Sequence, residues 1–343
     1  MNKSILLITG VLLLSVNTLI AQHQIKTARP DAHAPISVMG DHNHKKGGLM
    51  FSYRNMPMWM KGNLNGDTKV SNEEIYQNYM TAPQKMEMNM HMFSVMYGVS
   101  NKVTLMVMAN YLTNHMDLTM RMMGQDTNFS TESKGFGDVS LSGSIRIYSK
   151  NKQSLQGNIG VSIPTGSIDN RDNTPMKNNA LLGYPMQLGS GTWDPMLGVT
   201  YLGKSETFSW GLQPKYIFRI GENARNYTLG NQLNVVGWGA LKVSDFFSFS
   251  TSLSYFNIEK TKGNDAEMNP KMMPLYNTEN SGRSQVDVGL GTNIYLPKGS
   301  LKNLRFALEV KLPVYQKVNG IQMKNSFATM FGIQYAIGHK HHK

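Results

Sequence analysis

The sequence predicts an all-β fold: a closed antiparallel transmembrane β-barrel of about 12 strands in meander order, with short periplasmic turns and long extracellular loops. Three observations predict it. Apolar and polar residues alternate, the alternating segments run to about ten residues or more, and short and long connections alternate along the chain. Composition agrees, because only 16% of residues are charged and 40% are hydrophobic. A soluble domain carries about 25% charged residues.

The amino terminus has the features of a secretory signal peptide. Lys3 supplies a positive charge, Ile5 to Leu14 form a short apolar segment, and Ala21 is a small residue at the expected cleavage point. The apolar segment is shorter than the roughly 20 residues of a transmembrane helix, and the chain has no Cys for a lipid anchor or a disulfide. We therefore expect export to the outer membrane of a Gram-negative cell. The expected regions are a signal peptide (1–21), a periplasmic N-terminal arm (22–46), the transmembrane β-barrel (47–338) and a His/Lys tail (339–343).

The alternation assigns a face to each side chain, since successive residues of a strand point to opposite sides. It is clearest in the predicted fourth and ninth strands. The side chains expected to face lipid are Val139, Leu141, Ile145, Phe247, Phe249 and Leu253. Those expected to face the lumen are Ser140, Ser142, Ser144, Ser248, Ser250 and Ser252. The predicted strands are 47–61, 85–97, 103–113, 134–149, 152–165, 191–203, 206–220, 226–242, 245–260, 283–297, 302–317 and 325–338.

The connections between these strands are sorted by length. The short ones, expected in the periplasm, are 98–102, 150–151, 204–205, 243–244 and 298–301. The long polar ones, expected outside the cell, are 62–84, 114–133, 166–190 and 261–282. Short turns on one side and long loops on the other are typical of outer-membrane barrels. The sheet must close, because an open edge would leave backbone groups unpaired in lipid.

Two motifs resemble the paired signature of a known outer-membrane family. Gly135-Phe136-Gly137-Asp138-Val139 is followed by Gly160 to Gly166, which ends in Pro-Thr-Gly. Both are similar to motifs of the family associated with the MetA pathway of phenol degradation, and the resemblance implies an outer-membrane channel or transporter. The segments 31–36 and 38–47 further resemble a Met-rich branch of that family, which implies handling of copper or other heavy metals.

Methionine is concentrated in the first three predicted strands. Of the 26 Met residues, 17 lie from Met39 to Met123. If the aromatic and aliphatic residues of these strands face lipid, their methionines face the lumen and line one wall. Thioethers are good ligands for Cu(I) and Ag(I). The candidate ligands on this wall are Met56, Met58, Met88, Met90, Met92, Met106 and Met108.

This arrangement turns Glu87, Asn89 and His91 outward. A charge in the lipid band is unfavourable by about 2–4 kcal/mol at the midplane, so we expect this end of the strand to rise above the membrane. Two other interpretations of the methionines remain open. They can be flexible apolar filler or the lining of a path for hydrophobic solutes.

A second candidate metal site lies in the N-terminal arm, at His33, Met39, Asp41, His42 and His44. A His-x-His on an extended segment projects both imidazoles the same way, which suits Cu(II), Ni or Zn. The alternative is a solvated arm without metal. The tail residues His339, His341 and His342 give a weaker signal of the same kind.

Other functions have little support. Residues 63–74 are similar to a calcium loop, but Asn63 replaces the first Asp and Thr68 the usual Gly, so we do not expect calcium. Phosphate-cradling loops, Gly-x-Ser-x-Gly elbows and His-Glu-x-x-His are absent from the sequence, so we expect no enzyme. The net charge is +12, but no basic run exceeds Lys45-Lys46, and we expect no nucleic-acid partner.

We therefore expect an outer-membrane channel or transporter linked to copper or another soft metal, with Cu(I) or Ag(I) as cargo or ligand and no other cofactor. One alternative is a pore for small hydrophobic or aromatic compounds. Another is a metal-binding outer-membrane scaffold that transports nothing. Expected partners are outer-membrane lipid, metal ions or small hydrophobic solutes, and periplasmic metal-efflux components.

Overall fold

A computed structural model describes residues 29–337. The predicted signal peptide, the first residues of the arm and the histidines of the tail lie outside these residues. The strands are β1 (Leu49–Gly66), β2 (Thr68–Val70), β3 (Thr81–Gly98), β4 (Val103–Met122), β5 (Gln125–Phe136), β6 (Val139–Lys150), β7 (Gln153–Ile163), β8 (Arg171–Asp172), β9 (Ala180–Leu181), β10 (Asp194–Lys204), β11 (Phe208–Ile217), β12 (Tyr227–Thr228), β13 (Gln232–Lys242), β14 (Phe247–Ile258), β15 (Lys262–Gly263), β16 (Arg283–Tyr295) and β17 (Leu304–Ile337). One short helix, α1, spans Asn72–Tyr76, and single 3₁₀ turns lie at Pro30–Ala32, Tyr184–Met186, Pro274–Tyr276 and Thr278–Asn280.

The large sheet is a closed antiparallel barrel, as predicted. Its circuit runs through β1, β3, β4, β6, β7, β10, β11, β13, β14, β16 and β17, and β17 returns to pair with β1. The first part of β17 pairs with β16 as far as Val318, and the part from Val318 to Ile337 pairs with β1. Because the chain reverses there, next to Gly320 with φ of 61°, β17 is a hairpin that crosses the barrel twice. The barrel thus has about the predicted 12 crossings. In the described residues no helix is long and apolar enough to cross a membrane.

The two faces of the sheet follow the predicted alternation. The lipid-side residues Leu141 and Phe249 are 40% and 52% exposed, whereas Ser140 and Ser250 are buried in the lumen. On β3 the outward Glu87 pairs with Lys85, whose Nζ lies 2.6 Å from Oε1 of the carboxylate. This charged pair lies near the loop end of the strand.

The segment 114–133 differs from its prediction as a polar loop. Most of it is strand, because β4 continues to Met122 and pairs with β5 in an extended hairpin. Polar side chains bond across this pair: Asn114 Nδ2 donates to Ser133 Oγ at 3.1 Å, and Thr119 Oγ1 donates to Asn128 at 2.8 Å. Polar composition suggested a loop, but cross-strand hydrogen bonds stabilise a sheet outside the bilayer as well.

The calcium-like segment forms a hairpin and a capped helix instead of a helix-flanked calcium loop. Asn63 to Asn65 pair with β2. Ser71 and Glu74 then form a capping box at the start of α1, in which each side chain accepts the backbone N–H of the other residue. Two of the ligand-like side chains are therefore used to begin a helix.

The N-terminal segment 29–48, here called the plug, lies inside the barrel and enters it from the end that carries the short turns. Gly47 N–H donates to the carbonyl of Gly98 at 2.8 Å, beside the β3–β4 turn. Further in, Ala34, Ile36 and Val38 are at most 3% exposed. In an outer-membrane barrel the short turns face the periplasm, so the plug closes the lumen on that side.

Candidate metal path through the barrel

The methionine wall is built by β1, β3 and β4, which are neighbours in the sheet. Their inward methionines face one another in register: Met58 opposite Met88, Met56 opposite Met90, and Met60 opposite Met86. Directly opposed side chains have Cβ atoms about 4.5–5.5 Å apart. Long thioether chains from such pairs can therefore converge on one ion.

The extracellular loops fold inward and pack on the upper part of this wall. We call this the loop-end cluster. Its buried residues are Met60, Met86, Met116, Leu118, Leu181, Leu182, Met186, Met268, Met273, Tyr276 and Met323. Met58, Met88 and Met272 are partly buried and pack against it. The cluster thus contains ten methionines, four of which come from loops.

The plug closes the lower part of the wall, in what we call the plug-end cluster. Its buried residues are Ile36, Met92, Ala307 and Met330, with Met39, Met56, Met90 and Met108 packed against them. Ile36 and Met39 come from the plug. The two clusters adjoin, because Met56 and Met58 are successive inward positions of β1, about 7 Å apart along the strand.

Of the seven methionines predicted as ligands on the wall, six fall in these two clusters and one does not. Met106 lies opposite Met96, towards the turn end of β4, and belongs to neither cluster. Met39 packs in the plug-end cluster rather than with the histidines. The predicted ligands did not include Met60, Met86, Met116, Met186, Met268, Met272, Met273, Met323 and Met330. The adjacent pair Met272-Met273 in a polar loop is the signal that could have indicated the loop residues among them.

The predicted arm residues His33, Asp41 and His42 come together on the plug. One ligand atom from each lies within 4.8 Å of the others. His42 Nδ1 is 2.7 Å and His33 Nδ1 is 3.7 Å from the Asp41 carboxylate. The ring of His44 lies against that of His42, with centroids 4.9 Å apart. The sequence indicated all three histidines of this group, His33, His42 and His44.

Burial and the neighbouring side chains shift the pKa values of His33, His44 and Asp41. Burial, with Arg305 and His42 nearby, lowers the pKa of His33 to about 4. Burial, with His42 and His33, lowers the pKa of His44 to about 3. Burial works against the charged form of Asp41, but His42 and His33 hold its pKa well below the ordinary value. At neutral pH the group therefore presents a carboxylate beside two neutral imidazoles.

The two family-like motifs form one joint under the loop 166–190. The Asp138 carboxylate accepts the backbone N–H of Gly166 at 2.9 Å, and from Ser190 it accepts the N–H at 2.9 Å and the hydroxyl at 2.7 Å. A Cβ on Gly166 would lie 2.7 Å from the Cα of Gly189, so the two ends of the loop approach too closely for any other residue. The motifs therefore hold the loop that carries Met186.

Comparisons with known proteins agree with this architecture. The family profile described as "Putative MetA-pathway of phenol degradation" matches residues 77–324. No curated protein is a significant sequence match. Among solved structures, the COG4313 outer membrane channel from Pseudomonas putida F1 is 14% identical, with a TM-score of 0.59 over 88% of this chain and 99% of that chain. A Pseudomonas aeruginosa FadL homologue is 10% identical, with a TM-score of 0.38 over 90% and 93% of the two chains.

The match to the family profile spans most of the barrel, from the residues before β3 to the second half of β17. The likeness to the Pseudomonas putida channel shows the fold alone, because the identity is low. By its profile the chain belongs to the family described as "Putative MetA-pathway of phenol degradation", and its fold is a closed β-barrel like that of the Pseudomonas putida outer membrane channel.

Proposed function

We propose that this barrel conducts soft monovalent metal ions, Cu(I) or Ag(I), along its methionine wall. One observation carries the proposal: ten methionines in the loop-end cluster and six in the plug-end cluster meet along the inward faces of β1 and β3. Loops, wall and plug contribute thioethers to the same interior. Several weak sites in series suit conduction, because one tight site would trap the ion.

The neighbours of these methionines argue against simple apolar packing. The same inward faces carry Ser52, Arg54 and Ser94, all buried. A lumen filled only for stability would be served as well by Leu, which is less flexible. On β3, however, five inward positions are Met: Met86, Met88, Met90, Met92 and Met96.

A second function is favoured by a separate observation. The matched family is described by phenol degradation. Both methionine clusters are apolar: the loop-end cluster also contains Leu and Tyr, and the plug-end cluster also contains Ile and Ala. Such a lining also suits small hydrophobic or aromatic compounds. The two functions differ in what they require of sulfur, because an aromatic solute needs apolar volume and a soft cation needs thioether ligands.

The decisive experiment removes the thioether sulfur of the wall methionines and keeps the volume of their side chains. Met88, Met90, Met92, Met106 and Met108 are replaced together by Leu, a swap that cores usually tolerate. The matched control replaces five methionines outside both clusters: Met120, Met122, Met123, Met176 and Met196. Ag(I) binding is measured in detergent and Ag(I) flux in proteoliposomes.

We expect the wall variant to lose Ag(I) binding and flux, and the control variant to keep both. Equal Ag(I) binding and flux in the wall variant would show that the methionines are filler and would favour the hydrophobic-solute pore. Binding without flux in the parent protein would instead support a metal-binding scaffold.

A further inference from the structure

The plug carries a metal site of a different chemical class. We infer that His33, Asp41 and His42, with His44 beside them, bind one divalent cation of borderline softness, Cu(II), Zn(II) or Ni(II), and that this ion holds the plug in its folded, seated form. The inference goes beyond the proposed function, because it concerns the closure of the lumen and holds whether or not the methionine wall conducts metal.

The donor set fits such an ion. Two imidazoles and a carboxylate are common ligands of Zn(II) and Cu(II), whereas thioethers favour Cu(I). The ligand atoms lie within 4.8 Å of one another. A tetrahedral ion with bonds near 2.1 Å needs them about 3.4 Å apart. Small side-chain rotations that move the ligand atoms by on the order of 1 Å would bring them to this separation.

Unpaired ligand atoms are the second observation. His33 Nδ1 and His44 Nε2 are buried, and neither has a hydrogen-bond partner among the described residues. Buried polar atoms are nearly always paired, and an unpaired one is unfavourable by about 1–3 kcal/mol. Coordination of an ion between His33, Asp41 and His42 would satisfy His33 Nδ1.

The charges around the site are balanced without a metal ion. Arg54 and Arg305 lie near Asp41 and would repel a bound cation. Each of these cations has a buried carboxylate to offset it, Asp41 itself and Glu309. Arg305 is also occupied elsewhere, since its guanidinium donates to Asn293, Gln334 and the carbonyl of Ala34.

The position of the site links it to plug closure. His33 and Asp41 stand at the two ends of the loop that carries Ile36 and Met39 into the plug-end cluster. The ends of this loop already meet: the N–H of Ala34 donates to Asp41 at 2.9 Å, His33 Nδ1 lies 3.7 Å from the same carboxylate, and the His33 and His42 ring centroids are 4.5 Å apart. A bound ion that joins the two ends would reduce the conformational entropy of the unseated loop and so favour the seated form.

The test uses the full chain in a background where His339, His341 and His342 are replaced by Ala, so that the tail binds no metal. Zn(II) binding is measured by titration calorimetry in the background protein and in its H33A/H42A variant. The matched control is H91A, because His91 lies on the outer face, hydrogen-bonded to Tyr53. Electrophoretic mobility without heating shows that each barrel is closed.

We expect one Zn(II) per chain in the background protein and in H91A, and at least a tenfold weaker affinity in H33A/H42A. In planar bilayers, Zn(II) should lower the conductance of the background protein and leave H33A/H42A unchanged. Equal Zn(II) affinity in all three proteins would refute the site, and binding without a change in conductance would refute its role in closure. The leucine wall variant should keep Zn(II) binding, which separates this inference from the proposed Ag(I) path.

Discussion

The carboxylate of Glu309 accepts the backbone N–H of Ser37 at 3.0 Å, although the two residues are 272 positions apart. Glu309 is 1% exposed and also accepts the hydroxyl of Ser252 at 2.8 Å. Four residues earlier on β17, Arg305 donates to the carbonyl of Ala34 at 2.7 Å. One strand of the barrel therefore binds the plug through two buried side chains, the carboxylate of Glu309 and the guanidinium of Arg305.

Removing the hydrogen bond between Glu309 and Ser37 should loosen the plug. We expect Glu309→Ala to raise single-channel conductance in planar bilayers at least twofold, because Ser37 loses its charged acceptor. Lys311→Ala is the matched control, since Lys311 is two positions along the same strand and donates to Ser254 instead of the plug. Equal conductance in the two variants would show that Glu309 does not seat the plug.

The joint at Asp138 should contribute strongly to stability. Hydrogen bonds to a charged group contribute about 1.5–3 kcal/mol each, and Asp138 accepts three. We expect Asp138→Ala to lower the free energy of unfolding in urea by on the order of 3 kcal/mol. Asp245→Ala, at an exposed turn where the carboxylate pairs with Lys242, should change it by less than about 1 kcal/mol. Similar values for both variants would contradict the role of the joint.

The face assignment makes a prediction about lipid. Phe249 is outward and 52% exposed, so Phe249→Arg should destabilise the barrel by about 2–4 kcal/mol if it lies near the midplane. Met176→Arg, at a loop position that is 50% exposed, should have little effect. Folding yield in lipid vesicles measures the difference, and a normal yield for Phe249→Arg would place that residue outside the lipid band.

Three extracellular loops are tied together by Glu267. It accepts from Arg171 at 2.8 Å and from Arg225 at 3.2 Å, and hydrogen bonds from these arginines lower its pKa from the ordinary 4.5 to about 2. Because the folded pKa is depressed, the contribution of Glu267 is complete above pH 4.5 and is lost as the pH falls towards 2. Glu267 is exposed, so salt also weakens the tie.

We therefore expect protease cleavage of these loops to accelerate between pH 4.5 and pH 2, and in 1 M salt at neutral pH. Glu267→Gln should be cleaved faster at neutral pH and should respond less to both treatments. Glu222, in the same group of loops, provides the control variant Glu222→Gln, which should behave like the parent. If Glu267→Gln is cleaved at the same rate as the parent protein, Glu267 does not hold the loops together.

The barrel could be predicted because its signals are local. Alternation in β14 assigns Phe249 outward and Ser250 inward from their order alone, and the sorted connection lengths indicate closure. The methionines of β1, β3 and β4 followed from the same rule. The second half of the hairpin β4–β5 was missed, because cross-strand polar bonds such as Asn114 to Ser133 depend on a pairing that composition does not show.

The plug could not be predicted, because its position depends on distant residues. The segment 29–48 has no regular period, and its hydrogen-bond partners include Thr104, Gln156, Gln213 and Glu309 from four strands. No local pattern encodes such contacts. The approach of His33 to Asp41 and His42 follows from the same enclosure, whereas the inward fold of Met186 and Met268 depends on loop geometry.

The plug also constrains the order of assembly. It is the first part of the described chain to be synthesised, yet Arg305 and Glu309, which hold it, lie on the last strand to be made. Contacts between residues so far apart form late, because the intervening chain must first be ordered. We therefore expect the strands to insert around an unfilled interior, and the final hairpin to close the wall and to bind the segment that was made first.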